Sequence, residues 1–329
     1  MPQAYFLIPH DVHPSRRLAV TNPQKSYLLA FITTLIWSTV ATSNKMALTQ
    51  LNNYQLWFVS TTTCLIFLGI VLFIQKKFRI IRGMPRHDLL YYAKLGLMNP
   101  FICYLVIFKA YSLLPGQIAS PIVTSWTVVL PVLSIPFLKK VPSTREWTCI
   151  AVAFLGMLIV ASNGSLKSFE QVNVTGIGMG LGSTVLWSFF WLYNTKSRYD
   201  PVVALFLCFA FAFPFILIAT LFLTDLPSVD QFFPGVLCAM YTGLSEMGVP
   251  YLTWFAAMRY TDSPARISTM ILLCPAISLI FLSTIYGESI LFTTVFGLML
   301  IVLSNIYQQK DVICDIVSQS KRFLHRKSL

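Results

Sequence analysis

The amino-acid sequence predicts an all-α, polytopic membrane protein of ten transmembrane helices, built as two inverted five-helix repeats. Three observations predict it. Charged residues make up 11% of the 329 and hydrophobic ones 56%, whereas a soluble domain has roughly 25% charged residues to cover its surface. Uncharged apolar runs of about 18 residues or more, long enough to cross a ~30 Å hydrocarbon core, recur along the chain. Residues of the first half also return, in order, in the second.

Windows of that length place spans at 27–48, 54–75, 89–113, 117–138, 146–163, 174–195, 201–224, 232–259, 265–286 and 289–308. The connections are short, so any chemistry must sit within the bundle. Residues 1–26 contain Arg16, Arg17 and Pro23 without an apolar core, which marks a tail and not a cleavable signal peptide. Residues 27–163 and 174–308 form the two repeats, and 309–329 a basic C-terminal tail.

The formal net charge of +12 takes its meaning from its distribution. With ten spans and a cytoplasmic N-terminus, all but Lys45, Lys109 and Lys167 of the 24 Lys and Arg residues fall on the cytoplasmic side. Retention of Lys and Arg inside sets orientation. Both termini are therefore expected in the cytoplasm, with the bundle in the plasma (inner) membrane. The basic balance reports topology and implies no nucleic-acid partner. Every outward face is apolar by default, so the sequence specifies no oligomeric state.

The repeat is the most informative pattern. Trp37, Ser38 and Asn44 recur as Trp187, Ser188 and Asn194, displaced by 150; Tyr104, Leu105, Phe108 and Ala110 recur as Tyr251, Leu252, Phe255 and Ala257, displaced by 147. Pro131 pairs with Pro275, and Leu158-Ile159-Val160 with Leu300-Ile301-Val302. Five spans per unit is an odd number, so the halves enter the membrane in opposite senses. Inverted halves suit alternating access, with a substrate held near the midplane between them. The sequence thus points to a secondary transporter of small molecules. A channel, or a duplicated scaffold or receptor that moves nothing, is the alternative.

An embedded enzyme has less support. Its chemistry needs converging nucleophiles, metal ligands or acid–base pairs, whereas all four histidines lie outside the spans and one acid, Glu246, lies deep within them. The seven cysteines show no C-x-x-C spacing and suit small buried hydrophobes. No metal and no cofactor is expected.

The chain resembles the EamA-type branch of the drug/metabolite transporter superfamily. The residues that carry the likeness are Trp37-Ser38, the run Ser120-Pro121-Ile122 to Trp126 and Pro131, and the stretch Glu246-Met247-Gly248-Val249-Pro250-Tyr251 through Trp254, Ala257, Pro275 and Gly287-Glu288. The resemblance covers nearly all of the membrane region. It implies a ten-helix bundle with a central cavity that carries metabolites, often outward. It is somewhat similar to aromatic amino-acid exporters, although Thr127 stands where a proline would follow Trp126 and Lys139-Lys140 where many relatives place an acid.

Ionisable groups inside a bilayer are costly and usually functional. Glu246 pairs in the repeat with Asn99, which marks a polar level near the bilayer centre. Low dielectric disfavours its ionised form, which suits reversible protonation; a glutamate that only holds helices together is the other account. Lys109 could attract a substrate carboxylate or extend its ammonium into the outer headgroups. Trp37, Trp126, Trp187 and Tyr251 offer faces for an aromatic or apolar substrate. Ser38, Thr124, Ser125, Ser188 and Asn194 add hydrogen-bond capacity, and Tyr104 is matched in the repeat by Tyr251. Trp37, Ser38, Asn99, Tyr104, Lys109, Trp126, Trp187, Asn194, Glu246 and Tyr251 form the expected substrate site of ten residues, with protons a partner at Glu246.

Gly176, Gly178, Gly180 and Gly182 have small-xxx-small spacing for close helix approach. Pro100, Pro131, Pro214, Pro250 and Pro275 lie inside spans and suggest kinks.

Overall fold

Helices follow one another through the whole of the computed structural model, which describes residues 23–126, 129–130, 132–133, 144–161, 173–194, 197–260, 271, 273–287, 291–308 and 310. They are α1 (Pro23–Ala47), α2 (Asn53–Ile74), α3 (Arg86–Leu113), α4 (Gly116–Thr124), α5 (Thr144–Ala161), α6 (Val174–Asn194), α7 (Pro201–Leu223), α8 (232–260), α9 (274–286) and α10 (Phe292–Gln308). Among the described residues there is no strand. By length and apolar content α1, α2, α3, α6 and α7 can cross a membrane, while the other segments are shorter or assembled from pieces. A short basic helix, Phe78–Arg82, follows α2. The expected tails, except for residues 23–26, which belong to α1, and residue 310, lie outside the described residues, as do the positions Thr127, Pro131, Lys139, Lys140, Lys167, Arg266 and Glu288.

Large apolar side chains on the outside fit a lipid-facing surface. Phe73, Phe222 and Phe292 are 75%, 86% and 83% exposed, a cost in water that hydrocarbon removes. The interior holds Trp57, Tyr104, Phe108 and Phe209 almost fully buried.

The halves are matched where they pack. Helix α1 lies against α8 as α3 lies against α6; α1 meets α9 as α6 meets α4; α3 meets α7 as α8 meets α2. Exchange of the repeats also maps the α2–α7, α4–α9 and α5–α10 contacts onto themselves. Two glycines explain how close these approaches are. A Cβ on Gly96 would overlap the Cys208 carbonyl, and one on Gly243 would overlap the Ser60 carbonyl. Both members of each pair are related by the repeat. Gly156 likewise faces Gly297 across the α5–α10 crossing, where a Cβ would lie 2.6 Å from the Gly297 oxygen.

The matched helices also start alike. Asn52 caps α2 by accepting from the amides of Tyr54 and Gln55, and Gln55 Oε1 accepts from the Asn52 amide at 3.0 Å. Asp200 caps α7 by accepting from the Val202 amide at 3.0 Å, with Pro201 in the first turn. Such caps satisfy donors that a helix start leaves unpaired.

Helices α3 and α8 are interrupted at matched levels by wide, π-helical turns, Leu97–Ile102 and Gly243–Gly248. Asn99 is extended there (φ −147°, ψ 116°), as the residue before a proline tends to be, and Pro100 has no amide to continue the ladder. Pro214 lies within α7, which runs unbroken from Pro201 to Leu223, and Pro275 occupies the first turn of α9, where proline is tolerated. Neither interrupts a helix, unlike Pro100.

Both ends of the bundle are stitched between the halves. At the basic end Lys77 pairs with Asp200 at 2.8 Å, the Tyr199 hydroxyl donates to Asp88 Oδ2 at 2.6 Å, and Tyr91 donates to the Tyr193 carbonyl. The Asp88 carboxylate holds the Tyr199 phenol above its ordinary value, which keeps it a donor. At the opposite end the ties are amides: Asn52 Nδ2 donates to Thr224 Oγ1 at 2.6 Å, Gln55 Nε2 to the Asp225 carbonyl at 3.0 Å and Gln231 Nε2 to the Gln50 carbonyl at 2.7 Å.

Candidate functional site

A hollow of about 70 Å³ lies between the halves, walled by α1, α3, the segment around α4, α6, α8 and the start of α9. The wall follows helical stripes. Trp37, Val40, Ala41 and Asn44 of α1 line it with the i, i+3, i+4, i+7 spacing of one helix face. Ile107 and Tyr111 of α3 do so at i, i+4, as do Ser183 and Trp187 of α6.

Glu246 enters the wall from the wide turn of α8. Trp37 fixes that turn by donating from Nε1 to the Glu246 backbone carbonyl at 3.2 Å. A wide turn frees carbonyls from the regular ladder, and an indole N–H here takes one of them. Thiols and phenols are the titratable groups near it: Cys274 lines the same hollow, and Cys103, Tyr104 and Tyr251 lie close by.

The aromatic side is continuous. Trp126 lies 6.5 Å from Trp187 between ring centres, Trp187 lies 5.5 Å from Tyr104 edge to face, and Tyr251 stacks on Trp191 at 5.7 Å and 6°. Tyr251 also meets Trp37 and Trp187. The Trp187 Nε1–H is buried without an acceptor among the described residues, an uncommon state for a buried donor.

Of the ten expected site residues, Trp37, Trp126, Trp187 and Glu246 line the hollow, and the other six do not. Tyr104 and Tyr251 are 1% and 2% exposed and stand behind the tryptophans. Ser38 follows Trp37 by one residue, about 100° round the helix, and its hydroxyl donates to the Thr34 carbonyl at 2.6 Å. Lys109 is two residues from both Ile107 and Tyr111, which turns it about 200° away from the lined face of α3. Asn194 is the last residue of α6, two turns beyond Trp187. Asn99 is buried in the α3 interruption, and its Nδ2 has no acceptor among the described residues.

Five polar residues of the wall were not among the expected ten: Asn44, Ser120, Thr124, Ser183 and Ser278. The i+7 spacing of Asn44 from Trp37 was the signal for the first. Asn44 Oδ1 accepts from the Thr242 hydroxyl at 3.0 Å, so this residue also ties α1 to α8. Ser120 and Ser278 face one another across the hollow's edge at 3.5 Å, a pairing between repeats that no spacing along the chain encodes.

The family model for EamA-like transporters matches the chain twice, over residues 24–162 and 174–307. The chain belongs to the EamA-like transporter family. As an EamA-like protein it is a membrane protein of the small-molecule transporter class. An uncharacterized transporter of Clostridium kluyveri is 23% identical over 299 residues, covering 86% of this chain and 92% of that one. A solved crystal structure shares the fold with a TM-score of 0.63 at 16% identity, over 86% of this chain and 95% of its own. The two EamA-like matches account for the paired glycines, the paired caps and the exchange-symmetric packing.

Proposed function

We propose that this protein is a secondary carrier that moves small amphipathic metabolites, amino acids or similar compounds, outward across the plasma membrane. Ten spans in two inverted halves, both termini cytoplasmic, would alternate the hollow between the two sides. The observation that carries this is the hollow itself: both repeats contribute to its wall, with the matched pair Trp37 and Trp187 on opposite halves. At about 70 Å³ it is roughly half the ~150 Å³ cavity that admits benzene. A metabolite of that size or larger enters only if the halves move apart, which is what alternating access supplies.

Glu246 is the proton-coupling group in this account. Purified protein in sealed vesicles tests both parts. A carrier gives saturable uptake that is accelerated by substrate on the far side, whereas flux linear in concentration indicates a channel and none a scaffold or receptor. Replacing Glu246 with Gln is expected to lower the rate about tenfold or more, as for loss of one transition-linked charged contact, and to flatten its pH dependence. An unchanged rate and pH profile removes Glu246 from the mechanism.

A further inference from the structure

The wall of the hollow has a one-sided charge. Among the described residues it carries a single carboxylate, Glu246, and no Lys, Arg or His. The ammonium of Lys45, on the lined helix α1, sits 3.2 and 2.9 Å from the carbonyls of Tyr111 and Leu114 at the end of α3. Lys109 is on the unlined face of α3. The neutral polar groups of the wall are hydroxyls and one amide, and Ser183 already donates to the Gly180 carbonyl.

A carboxylate in such a place is costly unless it is protonated or paired with a cation. A substrate carboxylate would bring a second negative group beside it, with no cation among the described residues of the wall to offset either. An organic cation meets the opposite situation. Trp37, Trp126 and Trp187 all line the hollow, and the ring planes of Trp126 and Trp187, with centres 6.5 Å apart, are tilted 40° to one another. Tryptophan is the strongest of the cation–π partners.

We infer that the hollow selects small organic cations, amines and quaternary ammonium compounds, over zwitterions and acids. Glu246 is the counter-ion, and the three tryptophans form the cage. The inference rests on the carrier function proposed above but not on its amino-acid cargo, in whose place it puts cationic amines as the substrate class of the same hollow.

Tetramethylammonium and pivalate test it, since both place a compact four-armed carbon frame in the site and differ in the sign of charge. Binding of both ions to the full chain in nanodiscs is followed by tryptophan fluorescence, and entry by flux of tetramethylammonium and of glycine betaine into sealed vesicles, which neither crosses rapidly unaided. Tetramethylammonium is expected to bind about tenfold or more tightly than pivalate, the ratio that one charged contact supplies. Glu246→Gln, close to isosteric, should abolish that preference, while Glu246→Asp should keep most of it. Equal or tighter binding of pivalate, or an undiminished preference in Glu246→Gln, overturns the inference. So does saturable entry of glycine betaine without entry of tetramethylammonium, although that result leaves the carrier function standing. Tetramethylammonium that binds through Glu246 but never enters supports the cation site and removes the carrier function instead.

Discussion

The α1–α8 and α3–α6 contacts occupy equivalent places in the two repeats, yet they are held differently. Across α1–α8 run side-chain hydrogen bonds: Thr33 to Thr253 at 2.6 Å, Ser43 to the Cys238 carbonyl at 2.8 Å, and Thr242 to both Ser43 and Asn44. Across α3–α6 the directional ties are fewer: Tyr91 donates to the Tyr193 carbonyl at 2.6 Å and the Cys103 thiol to the Ser183 carbonyl at 3.7 Å. Small residues and rings set the rest of the approach: Gly176 admits Leu114, and Tyr104 meets Trp187 edge to face. Gly180 similarly receives Ile122 where the chain continues into α4. Directional bonds fix the register of two helices, whereas glycine faces set only their distance. The α1–α8 contact, with more such bonds along its length, is therefore expected to resist sliding more than α3–α6.

The largest effect that bears on this difference comes from the glycines common to both halves. Gly96→Ala and Gly243→Ala each push a methyl group into a backbone carbonyl that has no rotamer to yield, and each should cost about 3 kcal/mol, the upper range for overpacking. Thermal unfolding in detergent would show similar losses for the two. A large inequality would mean that the halves are not equivalent even where they pack.

A smaller loss, about 1–3 kcal/mol, is expected for Gly180→Val, because the Ile122 side chain it meets can shift. Gly178→Ala on the same helix should be neutral or stabilising by about 0.5–1 kcal/mol, since nothing lies within 4 Å of its new methyl. The four-glycine run expected to pack on both stripes in fact packs on one. Equal destabilisation by both variants would place the second stripe against a partner.

The smallest change should come from Thr242→Val, which keeps the shape and deletes the bonds to Ser43 and Asn44. Hydrogen bonds between membrane helices average about 0.6 kcal/mol each, so unfolding should shift little. Disulfide or spin-label distances across α1–α8 should broaden all the same, because register loses its directional tie. An unbroadened distance distribution would show that the hydroxyls do not set it.

Much of this architecture was legible in the sequence. Span length and charge placement are one-dimensional quantities, and the repeat displacement of 147 correctly paired Asn99 with Glu246, the two residues at the wide turns. The repeat gives a level along each helix but no direction around it. That is why Trp37 and Ser38 were expected together at the site, whereas Trp37 lines the hollow and Ser38, one residue on, does not. The stripe through Trp37, Val40 and Asn44 carried the missing angle. The Gly96–Cys208 and Gly243–Ser60 contacts depend on which helices cross, and no local pattern marks a glycine as touching a distant carbonyl.

The ties at the two ends of the bundle respond to different conditions. A half-buried ammonium–carboxylate pair such as Lys77–Asp200, 27% and 18% open to solvent, is weakened by electrolyte, while amide ties such as Asn52–Thr224 are indifferent to it. Raising ionic strength therefore slackens one of the stitches at the basic end of the bundle and leaves those at the opposite end as they were.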